Sequence, residues 1–274
     1  MTAAHSDWSS ISITAHYTAQ CWVRQALPWA WRFDTWQGRV FWGLVNPMFV
    51  VASRIGLTSP PDFLIQRQRM LDALVERLGP RQLINLGAGL CPRAVAHAQR
   101  TGHRCVEGDL PRMVQLKAER IGPRRPPSFH QASIDLMAEP DYAASLGHVL
   151  GRERPVVVIT EGLLPYFSLE QRALLFRRVA ALLRQLGGGT YLTDVHHQLD
   201  AERLGWLSRA FRAGQHLVAR TPVYPLVRDG DEGRRMLLEA GFSRVAIHDP
   251  EDFAHLGLPQ RPHSAGLKMY ESTV

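Results

Sequence analysis

The chain has 274 residues, 45% of them hydrophobic, and a formal net charge of +7. That apolar content supports one sizeable core and fits a single α/β domain with an extension better than two independent domains. The charge does not argue for a nucleic-acid partner: lysine occurs only at Lys117 and Lys268, and the arginines spread from Arg24 to Arg261 without a basic block, as an arginine-for-lysine bias would leave them.

Cys21, Cys91 and Cys105 are odd in number and lack CxxC spacing, and no basic segment leads into an apolar core near Met1, so a reducing cytoplasm is the expected compartment. Residues 1–60 hold six of the seven tryptophans (Trp8, Trp22, Trp29, Trp31, Trp36, Trp42), with Pro28 and Pro47 interrupting any long helix, and read as an irregular helical cap. Tryptophan at this density forms either a lid over a pocket or a partner surface, or plain packing onto the core. The longest apolar run, "VFWGLVNPMFVVA" from Val40 to Ala52, is too short to span a bilayer and contains Asn46 and Pro47, so no membrane role is expected.

From Pro61 the pattern becomes regular, and residues 61–274 read as the main domain. A helix is predicted over Asp62–Leu78, a strand at "QLINL", a helix over Pro92–Arg100, a strand at "HRCVEG", a helix over Pro111–Ile121 and a strand at "SFHQASI". "PVVVIT" is an apolar run of the kind buried on both faces of a parallel sheet. The next helix starts at Ser168, with Gln171 at capping-box spacing, and stops at Gly187-Gly188-Gly189. "TYLTDV" is a fifth strand, a helical insertion falls at about 199–220, and a helix at "EGRRMLLEAGF" precedes strands at "SRVAIH" and "GLKMYES". Repeated βα units argue for a doubly wound sheet that binds ligands at the carboxyl ends of its strands.

The first strand runs into Gly87-Ala88-Gly89, a turn that could serve a dinucleotide, another nucleotide-like cofactor, or only the fold. Pro92 stands where G-x-G-x-x-G needs its third glycine, which counts against a nicotinamide enzyme. In "CVEGDLP", Glu107 and Asp109 end the second strand, where an acid can accept hydrogen bonds from a ribose; a solvated strand end is the alternative.

Together, "LINLGAGL…R", "VEGDLPRMVQLK" and "VVVITEGLLPYFSLEQRALLF", spanning roughly Arg67 to Val195, resemble the leucine carboxyl methyltransferase family. That family includes bacterial natural-product O-methyltransferases and the enzyme that methylates a phosphatase C-terminus. The resemblance implies a Rossmann-like class I methyltransferase fold, a seven-stranded, mostly parallel sheet with an antiparallel last strand and helices on both faces, and S-adenosylmethionine as methyl donor. It places Gly87 and Gly89 at the cofactor, Asp109 on its ribose, Asp135 and Leu136 at its adenine edge, and Glu161 among its contacts. Arg67, with Arg69 as the alternative, would grip its carboxylate. The family's usual Asp-Thr-Arg is here Cys91-Pro92-Arg93, so the local cofactor geometry departs from the pattern.

Methyl transfer from a sulfonium needs alignment and exclusion of water; a carboxylate acceptor needs no base, whereas a hydroxyl does. Asp194, His196 and His197 of "TDVHHQ" are read just past the fifth strand, and either histidine is a candidate base. Tyr166 is a candidate for the acceptor pocket, and no metal-ligand spacing is present. The expected function is O-methylation of a small molecule, most readily at a carboxylate. A hydroxyl acceptor, a protein C-terminus, and a non-catalytic cofactor-binding protein are the alternatives.

Overall fold

The computed structural model describes residues 11–54, 60–198, 227–258 and 267–274. The strands β1 (Gln82–Leu86), β2 (Arg104–Asp109), β3 (Phe129–Ser133), β4 (Val156–Thr160), β5 (Thr190–His196), β6 (Arg244–His248) and β7 (Leu267–Thr273) form one sheet in the order β3-β2-β1-β4-β5-β7-β6. The first five pair in parallel, while β7 runs antiparallel to both β5 and β6. This is the seven-stranded, mostly parallel arrangement expected, with the last strand inserted between the fifth and sixth.

Register places the site. Leu86 of β1 lies opposite Gly108 of β2 and Thr160 of β4, and Thr160 lies opposite Thr193 of β5. The next residue along each strand path is Asp109, Gly87, Glu161 or Asp194, so one glycine and three acids form a row at the carboxyl edge. Strand order reverses between β1 and β4, where open α/β sheets bind ligands.

Eight helices are described: α1 (Ile11–Arg24), α2 (Trp36–Arg54), α3 (Pro60–Leu78), α4 (Arg93–Thr101), α5 (Pro111–Ile121), α6 (Tyr142–Leu146), α7 (Leu169–Gln185) and α8 (Gly230–Glu239). Alternation within β1 sends Leu83 to one face, with Met70 and Leu74 of α3 and Val95 of α4, and Ile84 and Leu86 to the other, with Phe176 of α7 and Leu237 of α8. The α7 start is a complete capping box: Ser168 Oγ accepts from the Gln171 N–H at 3.2 Å, and Gln171 Oε1 accepts from the Ser168 N–H at 2.9 Å.

Pro47 does not end a helix but lies inside α2. Its missing N–H forgoes one bond, and the carbonyl its ring meets belongs to Gly43, where no side chain adds crowding. The sequence pattern gave no sign of the five-residue α6, whose cap is the Asp141 carboxylate accepting from Ala143 and Ala144 N–H. The helical insertion expected at about 199–220 lies outside the described residues.

Of the cap tryptophans, Trp8 lies outside the described residues. Trp22 is buried in a small core with Tyr17, Cys21 and Leu64, and Trp42 stacks on Tyr17 at 5.2 Å. Trp31 and Trp36 point outward, 60% and 66% exposed. The element that reaches the carboxyl edge is α1: a Cβ built on Gly89 would stand 3.7 Å from that of Ala15, and Thr14 Oγ1 lies 3.2 Å from the Tyr166 hydroxyl.

Candidate functional site

Gly87 and Gly89 both adopt positive φ, at 66° and 50°, which glycine tolerates and side-chain-bearing residues disfavour. The turn they make is tied to β2. Gly87 N–H donates to the Gly108 carbonyl at 2.8 Å, and Gly89 N–H to Asp109 Oδ2 at 2.7 Å. Asp109 Oδ1 accepts from the Leu110 N–H at 2.7 Å. Burial pushes this carboxyl up from the ordinary Asp value, and the two backbone donors oppose that. Asp109 thus joins the end of β2 to the glycine turn, whereas Glu107, two residues back and 2% exposed, faces Lys117 at 2.7 Å inside the fold.

A dense ionic cluster fills the edge at β4. Glu161 receives Arg67 Nε on Oε1 at 3.0 Å and Arg93 Nη1 on Oε2. Arg67 Nη1 also lies 3.5 Å from Asp194 Oδ2, and Arg93 Nε donates to Asp72 at 2.6 Å. Burial alone would raise the Glu161 carboxyl; the guanidiniums of Arg93 and Arg67 outweigh it and hold it down to about 2. Helix geometry puts the two arginines of α3 on different faces, since two residues are some 200° apart around the axis. Arg67 is 8% exposed and inside the cluster, while Arg69 is exposed. Gly162, at φ 63°, leaves room for that guanidinium: a Cβ there would stand 2.7 Å from Arg67 Nη1.

Asp194 is not past strand five but within it, 1% exposed, with Oδ1 accepting from the Gly162 N–H at 2.7 Å. Its neighbours diverge, as consecutive strand residues must. His196 Nε2 lies 3.9 Å from Asp194 Oδ2 with its ring 5.0 Å from that of Phe63. His197 is buried and hydrogen-bonded through Nε2 to the Tyr270 hydroxyl at 2.7 Å, away from the cluster. Tyr166 meets α1, as described. Asp135 Oδ1 accepts from the Met137 and Ala138 N–H groups and shapes the turn after β3, beside buried Leu136.

Arg93, Asp72 and Asp194 complete the cluster without having been singled out for it by spacing. The readable signal was Asp194, a charge in the middle of the apolar "TYLTDV". Cys91 is buried against Arg93, Gln68 and Glu161, its Sγ 3.7 to 3.8 Å from their polar atoms, and burial pushes its thiol up to about 12. Among the described residues, no group of three or more His, Cys, Asp or Glu side chains could hold a metal ion, and no helix is long and apolar enough to cross a membrane.

A doubly wound sheet of this strand order, with a glycine turn after β1 and an acid ending β2, defines the Rossmann-like class I methyltransferase fold. The leucine carboxyl methyltransferase family model matches residues 33–180, more than half of the 274-residue chain, and the chain belongs to that family. A Mycolicibacterium paratuberculosis protein, provisionally named an S-adenosyl-L-methionine-dependent methyltransferase, is 26% identical over 216 residues, 76% of this chain and 66% of its own length. A Mycobacterium tuberculosis protein of the same provisional name is 28% identical over 137 residues, 49% of this chain and 45% of its own. The chain thus spans no more than 66% of these curated relatives. Among solved structures, an O-methyltransferase family protein from Burkholderia thailandensis superposes with a TM-score of 0.54 at 16% identity, covering 98% of this chain and 73% of that one. A Nostoc punctiforme protein provisionally named an O-methyltransferase gives 0.53 at 15% identity, over 79% and 61%. These two likenesses bear on the fold.

Proposed function

We propose that the chain is an S-adenosylmethionine-dependent O-methyltransferase acting on a small molecule, a carboxylate of a natural-product intermediate. The observation that carries the reading is the Gly89–Asp109 contact, which joins the glycine turn to the acid of the neighbouring strand. The donor set fits the cofactor. A carboxylate offers about four acceptor positions, and Asp109 spends two on backbone N–H groups, leaving two for a ribose diol. The edge cluster sets the carboxylates of Glu161, Asp194 and Asp72 against the guanidiniums of Arg67 and Arg93. This excess of one negative charge suits a ligand with one carboxylate, one ammonium and one sulfonium. Family membership and the names of the curated relatives support the same choice.

When bound, S-adenosylmethionine supplies a methyl group already activated by its sulfonium. The chain's part is alignment. Arg67 keeps guanidinium N–H donors beyond those given to Glu161 and Asp194 and is the residue for the cofactor's carboxylate; Glu161 and Asp194 face its ammonium. Gly87 and Gly89 present backbone, and Asp135 and Leu136 border the adenine side. α1, seated on Gly89 and Tyr166, keeps water from the reacting atoms. A carboxylate acceptor arrives ionised and needs only orientation, which such a site supplies without a base.

A hydroxyl acceptor is the second reading, favoured by His196, whose Nε2 stands 3.9 Å from Asp194 Oδ2 beside the edge cluster. A protein C-terminus would be a carboxylate of the same chemistry. The cytoplasm is the compartment that three free cysteines suit, and nucleic acid and membrane are not proposed as partners. The test is calorimetry with S-adenosylhomocysteine followed by methyl transfer to a panel of carboxylic and phenolic acceptors. Stoichiometric binding and transfer are expected. No binding overturns the reading, and binding without transfer to any acceptor points to a non-catalytic protein.

A further inference from the structure

The turn from Gly87 to Cys91 is suspended from one neighbouring segment at three points. Two are the bonds that the Gly87 and Gly89 N–H groups donate to the Gly108 carbonyl and the Asp109 carboxylate. The third is Lys117, on α5, whose Nζ donates to the Cys91 carbonyl at 2.6 Å. Cys91 precedes α4 and its own N–H closes the turn onto the Ala88 carbonyl at 3.0 Å, while the first α4 bond described goes from Ala96 N–H to the Pro92 carbonyl. Lys117 thus takes the carbonyl that the helix leaves aside.

Its surroundings are built for one charge. Lys117, whose side chain is 2% exposed, also donates through Nζ to Glu107 Oε1 at 2.7 Å, and Nζ sits 5.4 Å from the centre of the Phe33 ring in the cap. Glu107 Oε2 is buried and accepts no hydrogen bond from the described residues. The chain carries two lysines among 32 basic residues, so its bias toward arginine makes this buried lysine an exception. A compact ammonium with three donors suits a carbonyl, a carboxylate and an aromatic face together, which a planar guanidinium fork does not.

We propose that Lys117 is a positioning residue for cofactor binding: it fixes the carbonyl at the far end of the glycine turn, and Glu107 is the counter-ion that lets it do so while buried. This rests on the reading of the turn as the cofactor site. It separates two roles that a buried ion pair usually merges, since Glu107 serves the charge of Lys117 and Lys117 serves the turn.

The test compares wild type, Glu107→Gln and the double variant Lys117→Met/Glu107→Gln by calorimetry with S-adenosylhomocysteine, by thermal melting and by amide hydrogen exchange without ligand. Removing both partners avoids the unpaired buried charge that makes Lys117→Met alone prone to unfold. The double variant is expected to melt near wild type yet bind about tenfold more weakly, with faster exchange at Gly89–Cys91 and unchanged exchange in β1. Glu107→Gln leaves the Lys117 charge unpaired and is expected to lower the melting temperature, yet, keeping the Lys117–Cys91 bond, to bind within about threefold of wild type. Wild-type affinity and unchanged exchange in the double variant would overturn the proposal, as would equal losses in both variants. If wild type itself does not bind, the cofactor reading fails, and the exchange arm still decides whether Lys117 holds the turn.

Discussion

The Asp109 carboxylate and the Gly89 N–H share a hydrogen bond of 2.7 Å, so the acid ending β2 and the turn ending β1 are one unit. Replacing Asp109 with Ala removes an acceptor both from the turn and from any ribose set against it. The expected loss is roughly 1.5–3 kcal/mol, about tenfold or more in affinity for S-adenosylhomocysteine by calorimetry. Glu107→Ala should act differently, lowering the melting temperature by stranding Lys117 and weakening binding less. Equal effects on affinity would reassign the acid.

Glu161 sets an acid limb. Its folded carboxyl is held at about 2 against an ordinary 4.5, so it contributes stability that is complete above about 4.5 and is lost as pH falls toward 2. Denaturant melts of wild type across that window should show this decline, and Glu161→Gln should flatten it. The same variant should cost about 3–5 kcal/mol near neutrality, because Arg67 and Arg93 stay buried without their shared counter-charge. An unchanged acid slope would remove Glu161 from the account.

The two adjacent histidines should separate cleanly. His197→Leu strands the buried Tyr270 hydroxyl and is expected to destabilise by about 1–3 kcal/mol. His196→Gln should leave melting close to wild type. If the acceptor is a carboxylate, single-turnover transfer in His196→Gln should also hold and persist well below about pH 6.5. A fall of about 10²-fold or more with intact cofactor affinity would make His196 a general base and the acceptor a hydroxyl.

Cys21, Cys91 and Cys105 are each buried, and burial pushes each thiol up to about 12. At about pH 8 only about one thiol in ten thousand is then the reactive thiolate. Iodoacetamide should leave the folded protein unlabelled over hours and label all three after denaturation, as read by intact mass. Rapid labelling of native Cys91 would show that the turn opens.

Much of the sheet was legible because it obeys local rules. The uninterrupted apolar "VVVIT" became β4, and Ser168 with Gln171 capped α7 as their spacing implied. The glycine turn and Asp109 were legible too, since each ends a strand and register does the rest. The ionic cluster was less so. Arg67 and Asp72 come from α3, Arg93 from α4, Glu161 from the turn after β4 and Asp194 from within β5, and no spacing encodes which carboxylate meets which guanidinium. Arg67 and Arg69 could be distinguished only once the helix face was known. Pro47 misled because its cost is local, while the packing that retains α2 is tertiary. The strand "TYLTDV" already holds Asp194, and β5 runs one residue further, so His196 belongs to the strand and not to the loop after it.

The insertion of β7 between β5 and β6 has a consequence for how the protein comes into being. The flank of β5 that faces away from β4 stays unpaired until Leu267–Thr273 has been synthesised, and β6, made earlier, has no strand to join before then. On the ribosome the nascent sheet therefore carries an open, apolar edge beside Leu192 and Val195 for the time it takes to translate everything from His197 to Thr273. Such an edge invites pairing with other chains. Expression yield should therefore respond to chaperone supply and to slower translation more than the stability of the finished fold would suggest.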